Sequence, residues 1–184
     1  METLILDATA GNRTMWKTKN AENIIYIDIE KKLERKPTIF ADNTKTPFLP
    51  ETFDTIFYDP PHMYGDKSSY YVHPDSKSFK AKWQGYGEIP RYYGGDKYKN
   101  RMALIVHIYR AQQEFHRILE ADGLLWLKWN ETRISLNRIL RLFEYWSIML
   151  VLPINSPTQT AGTKQTYWVC LTKKKRDTVQ TTLL

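Results

Sequence analysis

Cysteine occurs once in this 184-residue sequence, at Cys170, and histidine four times, so an intramolecular disulfide is excluded and no Cys/His spacing resembles a zinc site. A reducing, cytoplasmic setting and no bound metal are therefore expected. Long apolar runs are missing too. The longest, Tyr145 to Ile154, is too short to span a bilayer, and Met1-Glu2-Thr3 carries no basic segment ahead of an apolar stretch. Neither secretion nor a membrane partner is expected. The G-x-G-x-x-G nicotinamide fingerprint and the G-x-x-x-x-G-K-[ST] phosphate loop do not occur, which argues against dinucleotide redox chemistry and nucleotide hydrolysis. No internal repeat and no linker composition divides the chain, so residues 1–184 read as one domain, long enough to bury a full core.

What is present is an ordinary globular composition, 42% hydrophobic and 26% charged, with a formal net charge of +7 that favours a polyanionic partner. The N-terminal half alternates short apolar runs with polar connections, the pattern of an α/β sheet whose strands are buried. Thr3 to Leu6, Asn23 to Ile27, Thr38 to Ala41 and Thr55 to Tyr58 are predicted strands, closed by Asp7, Asp28, Asp42 and Asp59. In an open parallel sheet the carboxyl ends of the strands form the ligand crevice. Aspartate also terminates strands and caps helices, so each acid has a structural explanation; four at one edge are harder to explain by packing. Leu104, Ile108, Ala111, Phe115, Ile118 and Leu119 recur at helical spacing, closing near Asp122-Gly123. A fifth strand is predicted over Leu124 to Trp129, a helix over Leu136, Ile139, Leu140 and Phe143, and a terminal strand pair over Ser147 to Leu152 and Thr166 to Thr172. Trp126, Trp129, Trp146 and Trp168 lie in or beside these strands and read as core more readily than as stacking platforms.

Two local patterns carry chemistry. Asp59-Pro60-Pro61-His62 comes directly after the fourth strand. Each proline fixes φ and lacks an N–H, and a residue before proline is driven to extended geometry, so the Asp59 carboxylate and nearby carbonyls become acceptors with little freedom. An exocyclic NH2 can donate to them while His62 stacks on its ring. In the other, Asp7-Ala8-Thr9-Ala10-Gly11-Asn12-Arg13-Thr14 turns out of the first strand, with Gly11 permitting a tight turn. About twenty residues on, Asp28 stands where a carboxylate can accept both hydroxyls of a ribose. Asp28 as a solvated strand end is the competing explanation.

Asp7-x-x-Ala10-Gly11-x-x-Thr14, Asp28, Asp42 and Asp59-Pro60-Pro61-His62, in that order, resemble the S-adenosylmethionine-dependent class I methyltransferases, specifically the amino-methyltransferases with an (Asp/Asn)-Pro-Pro-aromatic motif. Phe115-His116-Arg117-Ile118-Leu119-x-x-Asp122-Gly123-Leu124-Leu125 is similar to the helix and strand that come after the catalytic strand there. Lys128-Trp129-Asn130-Glu131-Thr132 and Lys164-Gln165-Thr166-Tyr167-Trp168 resemble small stand-alone phage and bacterial enzymes of this type, similar to DNA adenine methyltransferases. The resemblance implies a Rossmann-like, mostly parallel seven-stranded sheet flanked by helices, with a C-terminal antiparallel strand, and S-adenosyl-L-methionine as cofactor. By the same resemblance Asp7, Ala8, Thr9, Gly11 and Arg13 shape the methionine side of the donor pocket, Asp28 and Ile29 the ribose side, and Asp42 with Asn43 the adenine side. Asp59 and the Pro60 carbonyl take hydrogen bonds from the target amine, with Pro61 stiffening the turn and His62 stacking on the base.

Two departures qualify this. Arg13 stands where many relatives carry a second glycine, and it either clasps the donor's carboxylate or crowds the loop. His62 replaces the commoner Tyr, Phe or Trp, so its protonation near neutral pH matters. Met63 to Arg101 is an insertion rich in Tyr, Lys, Gly and Ser beside the catalytic turn, where Tyr64, Tyr70, Tyr71, Lys82 and Trp83 supply stacking faces and phosphate contacts, and Asn130 and Lys164 complete the candidate substrate side. Asn130 and Glu131, just past the fifth strand, are candidates for the acceptor side, but capping the next helix is the favoured reading of both. The expected partner is nucleic acid, DNA ahead of RNA, with N6 of adenine as acceptor before N4 of cytosine. A chain this short has no separate domain to hold a duplex, so single-stranded or structured nucleic acid, a protein partner or a second copy is anticipated. A protein amide or small-molecule amine as acceptor, and a non-catalytic nucleic-acid-binding subunit, stay open.

Overall fold

The computed structural model describes residues 3–64, 98–154 and 165–175. Its strands are β1 (Ile5–Asp7), β2 (Ile24–Asp28), β3 (Ile39–Phe40), β4 (Phe53–Tyr58), β5 (Leu119–Asn130), β6 (Trp146–Ile154) and β7 (Thr166–Lys173), with helices α1 (Arg101–Ile118) between β4 and β5 and α2 (Leu136–Leu140) between β5 and β6. They form one seven-stranded sheet in the order β3-β2-β1-β4-β5-β7-β6. Adjacent strands from β3 through β5 pair in parallel, and β7 runs antiparallel to both β5 and β6. The expected α/β architecture is therefore the observed one. Strand order reverses between β1 and β4, the switch point at which open α/β sheets leave a crevice beyond their carboxyl ends.

Alternation along each strand splits the side chains between two faces. Leu6, Ile27, Ile56, Tyr58, Leu125, Leu127, Trp129, Val169 and Leu171 join one buried cluster with Leu104, Ile108, Ala111, Phe115 and Ile118 of α1. Each such side chain contributes about 1.5–3 kcal/mol on burial. The bidentate pair Glu114–Arg117 on α1, with Arg117 38% exposed, adds on the order of 1 kcal/mol at most. The apolar stripe is thus what holds α1. Asn100 caps its first turn by accepting from the Ala103 N–H at 2.9 Å.

On the opposite face Ala10, Ile24 and Tyr26 pack with Ile5, Trp16 and Ala21 in a smaller cluster. Phe57 stacks on Trp126 at 6.3 Å between ring centroids, and Trp168 stands edge-on to Phe57 at 5.9 Å. Of the four strand tryptophans, Trp129 and Trp146 are core, whereas Trp126 and Trp168 are only partly buried on this second face. The connections from β1 to β2 and from β2 to β3 are turns without helix.

Element bounds differ from expectation mainly at β5. α1 ends at Ile118, and Leu119 enters extended geometry and pairs with Phe53, so the strand starts five residues before the expected Leu124. The exposed Glu120, Ala121 and Asp122 bulge outward before Leu124 pairs with Thr55. Gly123 closes the bulge tightly: a Cβ there would lie 2.7 Å from Leu119 Cγ and 2.9 Å from the Asp54 carbonyl. The expected helix through Phe143 stops at Leu140, and Phe143 is reached by a turn. Gly123→Ala should lower unfolding free energy by about 1–3 kcal/mol through overpacking. Urea melts check this, and a variant as stable as the wild type would contradict the close approach.

Candidate active site

Four chain segments meet at the carboxyl edge of the parallel strands, and polar contacts stitch them together. The ladder first extends past the strand ends: Ala8 N–H donates to the Phe57 carbonyl at 2.9 Å and Ala10 N–H to the Ile27 carbonyl at 3.1 Å. Thr9 Oγ1 accepts from the Asp59 N–H at 2.8 Å, locking the β1 loop to the proline turn. Asp28 Oδ2 accepts from the Gly11 N–H at 2.9 Å, and its Oδ1 from the Glu30 N–H at 2.8 Å. Asn43 Nδ2 donates to the Ala8 carbonyl at 3.0 Å. Asp42 Oδ1 holds its own turn, accepting from Thr44 N–H and Oγ1, both at 2.8 Å. Ala8, Thr9, Gly11, Asp28, Asn43 and Asp59 are thereby brought together. Ile29 comes directly after Asp28 and is 45% exposed.

Asp7 is inside rather than in the crevice. It is 1% exposed, with Oδ2 accepting from Trp16 Nε1 at 2.7 Å and Oδ1 from the Thr9 N–H at 3.1 Å. Burial outweighs these hydrogen bonds and raises its pKa to about 6, with the charges of Asp59 and Asp28 adding to the effect. Its position suits shaping the loop.

Arg13 departs from both expectations. It takes a left-handed φ of 58° and turns its guanidinium onto neighbouring loops, with Nη1 donating to the Lys19 carbonyl and Asn20 Oδ1 and Nη2 to the Lys36 carbonyl, each at 2.7 Å. It also lies 3.9 Å from the Tyr26 ring centroid. The side chain neither clasps toward the crevice nor crowds Gly11; it ties the β1–β2 turn to the β2–β3 turn.

On the other side of the proline turn, Asp59, His62, Lys128, Asn130 and Thr166 line a cavity of about 200 Å³. Lys128 Nζ donates to Asp59 Oδ2 at 2.6 Å. Register explains this pair: Tyr58 is opposite Leu127, so the next residues, Asp59 and Lys128, are neighbours across the parallel strands. Burial raises the Asp59 pKa, and the Lys128 charge and hydrogen bond oppose that rise. His62 is set edge-on to Trp129 at 6.4 Å, and burial, reinforced by Lys128, lowers its pKa to about 4. The ring is neutral at neutral pH.

Asn130 lies in the cavity wall, donating from Nδ2 to Thr166 Oγ1 at 2.8 Å and accepting from Thr132. Glu131 instead takes the capping role, its Oε1 accepting from the Leu136 N–H at 2.7 Å. Tyr64 borders the described region, with Arg133 6.0 Å from its ring centroid. Tyr70, Tyr71, Lys82, Trp83 and Lys164 lie outside the described residues. Lys128 and Thr166 are site residues that the sequence patterns contained within longer segments but gave no role. A lysine interrupting the apolar run Leu124 to Trp129 was the available signal for Lys128, and only strand register could have aimed it. Among the described residues no group of three His, Cys, Asp or Glu stands close enough to hold a metal, and no helix is long and apolar enough to cross a membrane.

His62 and Asp7 act oppositely on stability. The unfolded chain takes up a histidine proton near 6.5 that folded His62 refuses until about 4, so this contribution shrinks as pH falls through that window. Asp7 prefers its proton in the folded state, so its contribution grows as pH falls from about 6 to 3.8. We expect the His62 ring resonance to titrate near 4, and His62→Phe to lose less stability than the wild type between pH 6.5 and 4. A His62 midpoint near 6.5 would contradict its burial.

No family model and no curated protein sequence matches this chain. Solved structures do. The PH0226 protein of Pyrococcus horikoshii OT3 aligns with a TM-score of 0.60 at 11% identity, over 95% of this chain and 83% of that one. A TehB-like SAM-dependent methyltransferase of Corynebacterium glutamicum aligns at 0.52 and 14% identity, over 94% and 80%. The 1,6-didemethyltoxoflavin-N1-methyltransferase of Burkholderia thailandensis, solved with its substrate and S-adenosylhomocysteine, aligns at 0.53 and 12% identity, over 93% and 71%. Likeness at this identity establishes architecture, and the chain has the Rossmann-like fold of the S-adenosylmethionine-dependent methyltransferases.

Proposed function

We propose that this protein is an S-adenosylmethionine-dependent N-methyltransferase acting on an exocyclic amine of a nucleic-acid base, N6 of adenine before N4 of cytosine, in the cytoplasm. The observation that carries the reading is the position of Asp59: a carboxylate on a double-proline turn, at the sheet's switch point, facing a cavity flanked by a neutral His62. The donor side fits the cofactor. Asp28 stands at the β2 end for a ribose, a Cβ placed on Gly11 would meet nothing within 4 Å, and Asn43 is drawn against the β1 loop. When bound, S-adenosylmethionine supplies a sulfonium methyl for in-line displacement.

The chain's own groups do the positioning. Asp59 and the Pro60 carbonyl accept the two amine hydrogens and turn its lone pair toward the donor side, a contribution of orientation and electrostatics. Asp59 need not be a strong base, because the amine becomes acidic only once methylated. Neutral His62 can stack on a flat ring without importing charge. The Asp59–Lys128 pair is net neutral, so a protonated aliphatic amine gains little there while a neutral ring-borne amine keeps its hydrogen bonds. The net charge of +7 favours a nucleic-acid partner, DNA ahead of RNA, alone or with a protein partner or second copy.

The toxoflavin-precursor enzyme, whose substrate is a small heterocycle, favours a second reading in which the acceptor is a small-molecule nitrogen. Salt separates the two, because binding to a polyanion weakens steeply with ionic strength and binding to a small neutral ring does not.

Calorimetric titration with S-adenosylmethionine should give saturable binding that Asp28→Ala loses. Asp59→Ala should abolish methyl transfer to single-stranded oligonucleotides while leaving donor affinity within about threefold of the wild type. No binding by the wild type, or full transfer by Asp59→Ala, would sink the assignment.

A further inference from the structure

Lys128 is a charged residue near the carboxyl end of β5, between the buried Leu127 and Trp129. Its ammonium lies 2.6 Å from Asp59 Oδ2 inside the cavity, and both side chains are about one-third exposed. Both groups give up part of their hydration to meet, which offsets much of their mutual attraction, so folding gains little net stability from a lysine here. The chemical effect is larger. A carboxylate in a desolvating pocket drifts toward its protonated form, and a protonated Asp59 would offer an O–H where an amine needs an acceptor.

Resting on the reading of Asp59 as the group that receives the target amine, we infer that Lys128 is its positioning residue: it keeps Asp59 ionised and occupies Oδ2, so that Oδ1 is the oxygen turned to the substrate. Geometry supports the division. Lys128 arrives from β5 by register, while the Asp59 backbone is held from the opposite side by Thr9 Oγ1, so the carboxylate is fixed between two strands. Among the described residues, the other titratable groups near Asp59 are His62 in its own turn and Asp7 at the end of β1. With His62 neutral above about pH 4 and Asp7 either protonated or, above about pH 6, a like charge, Lys128 is the group among these that favours the carboxylate.

The deciding experiment tracks the Asp59 carboxyl by 13C NMR in aspartate-labelled protein, assigned by Asp59→Asn. In Lys128→Met the Asp59 midpoint should rise by at least about one unit over the wild type, and Lys128→Arg should restore it to within about half a unit. Equal midpoints in wild type and Lys128→Met overturn the inference. Should Lys128→Met fail to fold, the wild type still answers: the Lys128 15N ammonium resonance must shift with the Asp59 titration, and an ammonium indifferent to it is equally fatal. On adenine-containing single strands, the acid limb of the transfer rate should move up in pH by the same amount in Lys128→Met and return in Lys128→Arg. Wild-type inactivity on adenine and cytosine strands would overturn base methylation instead, with the carboxyl titration still judging Lys128.

Discussion

The parallel pairing of β4 with β1 on one side and β5 on the other is the constraint on which the rest depends. Leu6 opposite Ile56 and Tyr58 opposite Leu127 place the ends of three strands level, so that the residues leaving each strand must meet at one edge. A one-residue slip of β5 would turn Leu127 out of the core and bring Trp129 or Leu127, rather than Lys128, beside Asp59. Burial of Leu125, Leu127 and Trp129 on the α1 side forbids that slip. Core packing is therefore what aims the ion pair, and the site inherits its precision from side chains packed on the α1 side of the sheet.

Between the strand ends, polar stitches do what helices would otherwise do. The β1–β2 and β2–β3 connections are turns, and they are held by Arg13 across to Lys19, Asn20 and Lys36, by Asp28 to Gly11, and by Asn43 to Ala8. Hydrogen bonds to charged groups contribute about 1.5–3 kcal/mol each, enough for a few of them to order short loops. Such stitches are local in space but far apart in sequence. Arg13 reaches a carbonyl 23 residues away, and Asn43 one 35 residues away.

That separation decides what could be read without coordinates. Strands over Ile24–Asp28 and Phe53–Tyr58 and the α1 stripe were legible because burial writes a period into neighbouring residues. The start of β5 was not, since Glu120, Ala121 and Asp122 look like a turn and are strand by virtue of the bulged pairing between Phe53 and Thr55. The Asp59 turn was legible because its stiffness is covalent. The direction of Arg13 was not legible, for the opposite reason: its loop partners include the remote Lys36, and nothing in the residues around it says which way the side chain turns. Lys128 and Thr166 could be given no role from their segments alone, because β4, β5 and β7 converge only through register.

The pocket's electrostatics complete the picture. Asp59, His62 and Lys128 share one small cavity, and desolvation acts on the first two according to the charge each would carry. It drives His62 to the neutral form and presses Asp59 toward its own neutral form, which Lys128 resists. The pair carries a full dipole and no net charge, so the cavity can orient a polar, uncharged amine while offering little to an ion. A lone aspartate in the same place would either protonate or recruit a cation. Lysine on β5 avoids both outcomes, and the neutral histidine keeps the ring-facing wall from competing for the carboxylate.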